Sequence, residues 1–220
     1  MLQTVLVTGA SGMVGEGVLH ACLQDASIGQ VLVLGRKPCG HTHPKLREIL
    51  HGDFFDLRPV ADHLRQIDAC LFCLGVSSVG MDEATFHRMT YELTNHMAEV
   101  LVSQNPGMAF CYISGSGTDS TEKGRMMWAR VKGKTENRIF QLFGDRGFAF
   151  RPGYLHPTPG LKNTLSYYRY ITWMYPLFKA LFPGYVSTLQ ELGKAMIEAA
   201  RNGYPKQVLE VKDIVQLAAR

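Results

Sequence analysis

The stretch TGASGMVGEGV sets Gly9, Gly12 and Gly15 in a G-x-x-G-x-x-G spacing. It ends an apolar run, TVLVTG over 4–9, and opens an amphipathic stretch that starts at Met13. In that context each glycine has its own role. Gly9 allows the tight turn, Gly12 lets backbone approach a pyrophosphate, and Gly15 lets a helix pack closely on a strand. The first N–H groups of the helix have no partner within it and face negative charge. Ser11, Met13 and Val14 therefore join the three glycines as expected nucleotide-binding positions.

A second position chooses the nucleotide. Where a strand over 30–36 ends, an acidic residue would accept hydrogen bonds from an adenosine ribose. The chain has Gly35-Arg36-Lys37 there, and Asp25, near the expected distance, falls in the first helix. Arg36 can stack on adenine and bind a 2′-phosphate, with Lys37 adding charge. NADP is the expected cofactor and NAD the less favoured one, with a solvated basic turn as the bland alternative.

The elements that must hold these residues alternate. Apolar runs at 4–9, 30–36, 46–53, 68–75, 108–115 and 147–153 are separated by helical stretches at 13–24, 59–66, 82–103 and 124–143. Strands apolar on both faces between helices predict an α/β fold, a doubly wound parallel sheet of the Rossmann type. Residues 1–155 form the nucleotide-binding part, and 156–220 a substrate region and closing elements of the same domain. Within the latter, LSYYRYITWMYPLFKALF (165–182) is expected as a small helical lid. It is too short for a membrane span, and Arg169, Lys179 and Pro176 interrupt it, so no integral membrane segment is expected. LQELGKAMIEAAR (189–201) reads as an amphipathic helix ended by Asn202-Gly203, followed by a last strand at 207–211 and a final helix.

The 220 residues, 46% hydrophobic and 19% charged, suit one globular domain. The net charge of +4 comes from scattered lysines and arginines, which argues against nucleic acid and suits an anionic small ligand. Five cysteines, an odd number, and a start with no signal-peptide pattern lead to an expected cytoplasmic location. Cys70 and Cys73 form CxxC inside a strand, where alternate side chains point apart, so they read as core rather than ligands. His41 and His43 lie in a loop without a second ligand pair and read as solvated; no metal is expected.

TGASGMVG, HGDFFDL (51–57), LFCLG (71–75), YISGSG (112–117), WxxxK (128–132) and RPGYLHP (151–157) together resemble the short-chain dehydrogenase/reductase superfamily. More narrowly, the chain is similar to its atypical and extended branch, the NAD(P)-dependent epimerase/dehydratase-like proteins. The resemblance covers residues 1 to about 160 and, more loosely, 187–203. It implies that Asp53 and Phe54 contact adenine and that Cys73, Leu74 and Gly75 line the adenosine side. It also implies that Lys132 holds the nicotinamide ribose and that Pro152 to Tyr154 border the nicotinamide. The catalytic serine maps onto Ser116, with Ser114 the fallback.

One position departs from that pattern. The family has tyrosine where this chain has Trp128, and indole donates a hydrogen bond but releases no proton near neutral pH. Tyr154, Tyr91 and His156 are candidate replacements, and Ser116 can support hydride transfer to an acceptor needing little protonation. The expected function is an NADP(H)-dependent oxidoreductase, weak or non-standard, on an apolar or aromatic carbonyl or quinone. The alternatives are a catalytically inactive NADP(H) sensor acting through a protein partner, and an assembly partner using the aromatic segment. The helix after the fourth strand and the Trp128 helix are candidate homodimer faces.

Overall fold

The computed structural model describes residues 1–164, 175–182 and 184–220. Among them, one parallel sheet is built from β1 (Leu2–Thr8), β2 (Ile28–Gly35), β3 (Leu46–Leu50), β4 (Ala69–Phe72), β5 (Ala109–Ile113), β6 (Gly147–Arg151) and β9 (Val208–Glu210). The strands lie in the order β3-β2-β1-β4-β5-β6-β9. The order reverses between β1 and β4, which opens a crevice at the carboxyl ends of those two strands. This is the expected doubly wound α/β architecture.

Strand alternation divides the core in two. Val5, Val7, Val31, Val33, Ala109 and Cys111 face one side, under helices α1 (Met13–Gln24), α6 (Leu189–Asn202) and α7 (Val211–Ala218). Leu6, Leu32, Leu34, Phe72, Phe110 and Tyr112 face the other, against α3 (Leu93–Gln104) and α4 (Met127–Phe143). Small residues on the first face suit helices that come close. A Cβ on Gly17 of α1 would sit 2.8 Å from Leu189, and one on Gly193 of α6 would sit 2.5 Å from Ala21.

Four details differ from the sequence expectation. The segment after β3 is a 3-10 turn, Arg58–Leu64, rather than an α-helix. The helix after β4 starts on an Asp82 cap as α2 (Glu83–His87), then widens through a π-helical turn at Arg88–Glu92 before α3. Helix α4 begins at Met127 rather than 124, because the Asp119 carboxylate takes the amides of Thr121, Lys123 and Gly124 and holds them in a turn. A two-stranded parallel pair, β7 (Tyr154–His156) with β8 (Val186–Thr188), has no counterpart in the sequence reading. In the segment expected as a lid, residues 165–174 lie outside the described residues, as does residue 183 beyond it, and α5 spans Tyr175–Leu181. Among the described residues, no helix is long and apolar enough to cross a membrane.

The α1–α6 crossing makes a direct prediction. Gly193→Val should lower stability to urea by about 1–3 kcal/mol, the usual cost of overpacking a tight contact. An unchanged midpoint would mean that the two helices can separate without loss.

Candidate functional site

The chain leaves β1 through Gly9, at φ +69°. A Cβ there would lie 2.6 Å from the Cys73 carbonyl oxygen, and one on Gly15 would lie 2.1 Å from the Gly9 carbonyl oxygen. Helix α1 thus starts against the ends of β1 and β4 with no room for side chains between. Gly12 is its N-cap, its N–H donates to Gly9 O at 2.9 Å, and no side chain caps the helix. The next amides, at Met13 and Val14, are available to an anion.

Three cavities follow one another along this edge of the sheet. The first, about 440 Å³, lies between Gly9–Ser11, Arg36, Lys37, Phe54 and Asn163. A smaller one of about 150 Å³ is bordered by Arg36, Asp53, Phe54 and Gly75. The third, about 380 Å³, runs from Gly12–Gly15 past Cys73–Val76 to Lys132, Pro152 and Leu155. Leu74 borders all three, so they form one cleft around the phosphate loop. Its dimensions and polarity fit a dinucleotide, with the pyrophosphate over α1. Arg36 and Lys37 are exposed at its rim and carry no ion pair among the described residues. Asp53 accepts the Phe55 N–H at 2.8 Å, which fixes its loop.

At the far end, Trp128, Lys132 and Glu136 recur every four residues along α4 and share one face of it. Lys132 Nζ donates to the Ser114 carbonyl at the mouth of β5. Burial pushes the Lys132 ammonium down to about 8, against the opposing pull of Glu136. Glu136 is fully buried and accepts from Ser114 Oγ at 2.6 Å, Arg151 Nε at 2.9 Å and a second Arg151 nitrogen at 2.5 Å. This carboxylate holds β5, α4 and β6 together. It also commits the hydroxyl hydrogen of Ser114, so that Ser116, on the loop above, carries the exposed hydroxyl. The Trp128 ring is half-buried over Gly117 of that loop.

The candidate proton donors sit elsewhere. Leu155 borders the cleft, whereas Tyr154 and His156, its neighbours on β7, meet α5: Tyr154 lies 6.1 Å from Phe178, and His156 stacks 3.9 Å from Tyr175. Tyr91, in the π-helical turn, packs on His87 at 4.9 Å under the Lys134 ammonium. Cys73 does border the cleft, but burial pushes its thiol well above the ordinary range.

A family model described as the NAD dependent epimerase/dehydratase family matches residues 5–122, more than half of the chain. The chain belongs to that family. Among curated relatives it is 25% identical over 146 residues to leucinostatins biosynthesis cluster protein T of Purpureocillium lilacinum, covering 64% of this chain and 52% of that protein. It is 26% identical over 155 residues to protein HTATIP2 of Rattus norvegicus, covering 70% of this chain and 63% of that protein. The chain thus spans between half and two thirds of the length of these relatives. A solved structure of similar fold is the Bordetella bronchiseptica enzyme WbmF in complex with NAD+, at TM-score 0.64 and 18% identity, covering 99% of this chain and 76% of that one.

Residue patterns alone do not single out Glu136, Glu16 or Asn163. For Glu136 a signal is present: it lies one turn beyond Lys132 on the same helical face. His41, expected to be solvated, instead places Nε2 2.9 Å from the buried Glu16 carboxylate, because the β2–β3 loop folds back over α1.

Removing one partner of a buried ion pair strands the other, at about 3–5 kcal/mol. Arg151→Met should therefore lower unfolding free energy by about that amount, and adding Glu136→Gln should recover much of it. Equal losses in the single and double variants would mean that Glu136 does not depend on Arg151.

Proposed function

We propose that this epimerase/dehydratase-family protein is an NADP(H)-dependent oxidoreductase acting on an apolar or aromatic carbonyl or a quinone. The observation that carries the reading is Lys132, which borders the cleft at the end assigned to the nicotinamide and whose ammonium burial pushes down to about 8. With Trp128 unable to release a proton, Lys132 is, among the described residues bordering this part of the cleft, the one placed to exchange one. In this reading Gly9 to Gly15 hold the pyrophosphate and Arg36 and Lys37 hold a 2′-phosphate. Asp53 and Phe54 border adenine. Cys73, Leu74 and Gly75 line the cleft between its two ends. Lys132 bonds the nicotinamide ribose, and Pro152 borders the ring.

When bound, the nicotinamide supplies a hydride to the acceptor carbon. Lys132 then gives up a proton toward the oxygen that gains the electron pair, and Ser116 stabilises the charge building there. Met13, Val14, Ile113 and Leu155, which border this end, favour an apolar acceptor. Of the aromatic residues on which the expectation of an aromatic substrate rests, Tyr167, Tyr168, Tyr170 and Trp173 lie outside the described residues, and Tyr175 stacks on His156 at 3.9 Å. A second reading, an inactive NADP(H) sensor, is favoured by Trp128 alone, since sensing needs the pocket and not the proton.

Two outcomes test the proposal. In fluorescence titrations, Arg36→Ala should raise the NADPH dissociation constant by about 10- to 100-fold, as the loss of a charge-assisted contact does, and change NADH by less than about threefold. Equal weakening of both would refute the 2′-phosphate assignment. The turnover rate with a quinone acceptor should fall as pH rises through about 8, where Lys132 loses its proton. A Lys132→Met protein that keeps this inflection would show that the proton comes from another group.

A further inference from the structure

The first cavity has a wall that belongs to neither the sheet nor the phosphate loop. Asn163 borders it together with Gly9, Ala10, Ser11, Arg36 and Lys37. Residue 163 arrives there from the opposite end of the cleft, because residues 157–164 follow β7, whose Leu155 borders the third cavity. The segment therefore joins one end of the cleft to the other.

It is fastened on arrival. Glu16, in the first turn of α1, is fully buried. Its two carboxylate oxygens accept the backbone N–H groups of Lys162 at 2.8 Å and Asn163 at 2.7 Å. The same carboxylate meets His41 Nε2 at 2.9 Å, from the loop that follows Arg36 and Lys37. Lys162 Nζ adds a bond to the Gly40 carbonyl at 2.7 Å, and Leu161 packs on the core. A solvated surface loop needs none of this. Burying a carboxylate is costly unless donors surround it, and here each donor belongs to a segment bordering the nucleotide cleft or the loop beside it. Burial raises the Glu16 pKa, but the Lys162 and Asn163 amides and His41 outweigh it and keep the group a carboxylate.

We propose that residues 157–164 form a strap over the adenosine half of the nucleotide site, with Asn163 a further nucleotide-contacting residue and Glu16 its positioning residue. This rests on the reading of the cleft as a nicotinamide dinucleotide site. The Asn163 side-chain amide donates to phosphate or ribose oxygens of the bound nucleotide, and the strap has to lift from Glu16 before the nucleotide leaves. Because Glu16 also holds the loop after Lys37 through His41, strap and basic turn move as one unit.

The test is the dissociation rate of NADPH and of NADH, measured by stopped-flow displacement from the native chain, Glu16→Gln, Asn163→Ala and the double variant. Losing one or two hydrogen bonds should speed dissociation by about three- to tenfold in each single variant. The double variant should be less than multiplicative, since both changes act through one strap. Asn163→Ala leaves the Glu16 contacts in place, so it decides the question even if Glu16→Gln folds poorly. A variant that lowers the melting temperature but leaves dissociation unchanged would make the strap a structural clamp only and overturn the proposal. Binding of NADH without NADPH would overturn the cofactor assignment while the strap is judged on the NADH rates. Binding of neither would overturn both.

Discussion

Helix α1 begins where it does because nothing separates it from the strand ends. The Gly9 and Gly15 backbones are in contact, and Gly9 in turn rests on the carbonyl of Cys73. A single methyl group at either glycine would push the helix away from β1 and β4. The Met13 and Val14 amides would then no longer converge on the crevice where the strand order reverses. The cleft, its anion-binding centre and the division of its walls into two ends all depend on this contact. The packing of α1 against α6 through Gly17 and Gly193 extends the same economy of space to the far side of the helix.

The far end of the cleft depends on a different device, a buried carboxylate. Glu136 gathers Ser114, Arg151 and, at longer range, Ser120, and so ties the ends of β5 and β6 to α4. One turn earlier the same helix presents Lys132 to the cleft, and one turn earlier again it presents Trp128 to the loop above. Trp128 thus stands on a helix face whose next two turns carry Lys132 and Glu136. The lysine remains in place, desolvated and bonded to the Ser114 carbonyl.

Much of this is legible in residue patterns, for identifiable reasons. The sheet is legible because its strands are buried on both faces and so read as continuous apolar runs. The phosphate loop is legible because Gly9 and Gly15 stand where a side chain has no room. The start of α4 is misplaced by pattern because Asp119 acts through backbone amides, which leave no periodic trace. The pair β7–β8 escapes detection because three-residue strands carry too little alternation, and their partners lie about 30 residues apart in the chain. Glu16 and Glu136 are hidden because an acidic residue on a helix is ordinarily solvent-facing, and only the fold brings distant amides and a guanidinium to them. What sequence conveys least is which charged residues are inside.

The proposed function makes the cleft a site of proton-coupled reduction with Lys132 as the proton donor. It is tested most directly by following NADPH oxidation with a panel of quinones and aldehydes, by the native chain and by Trp128→Tyr. Turnover by the native chain, falling much further in Lys132→Met than NADPH affinity does, is the predicted result. Tight NADPH binding with no oxidation by the native chain, and activity only in the tyrosine variant, would contradict it and leave a protein that binds its cofactor without a proton donor.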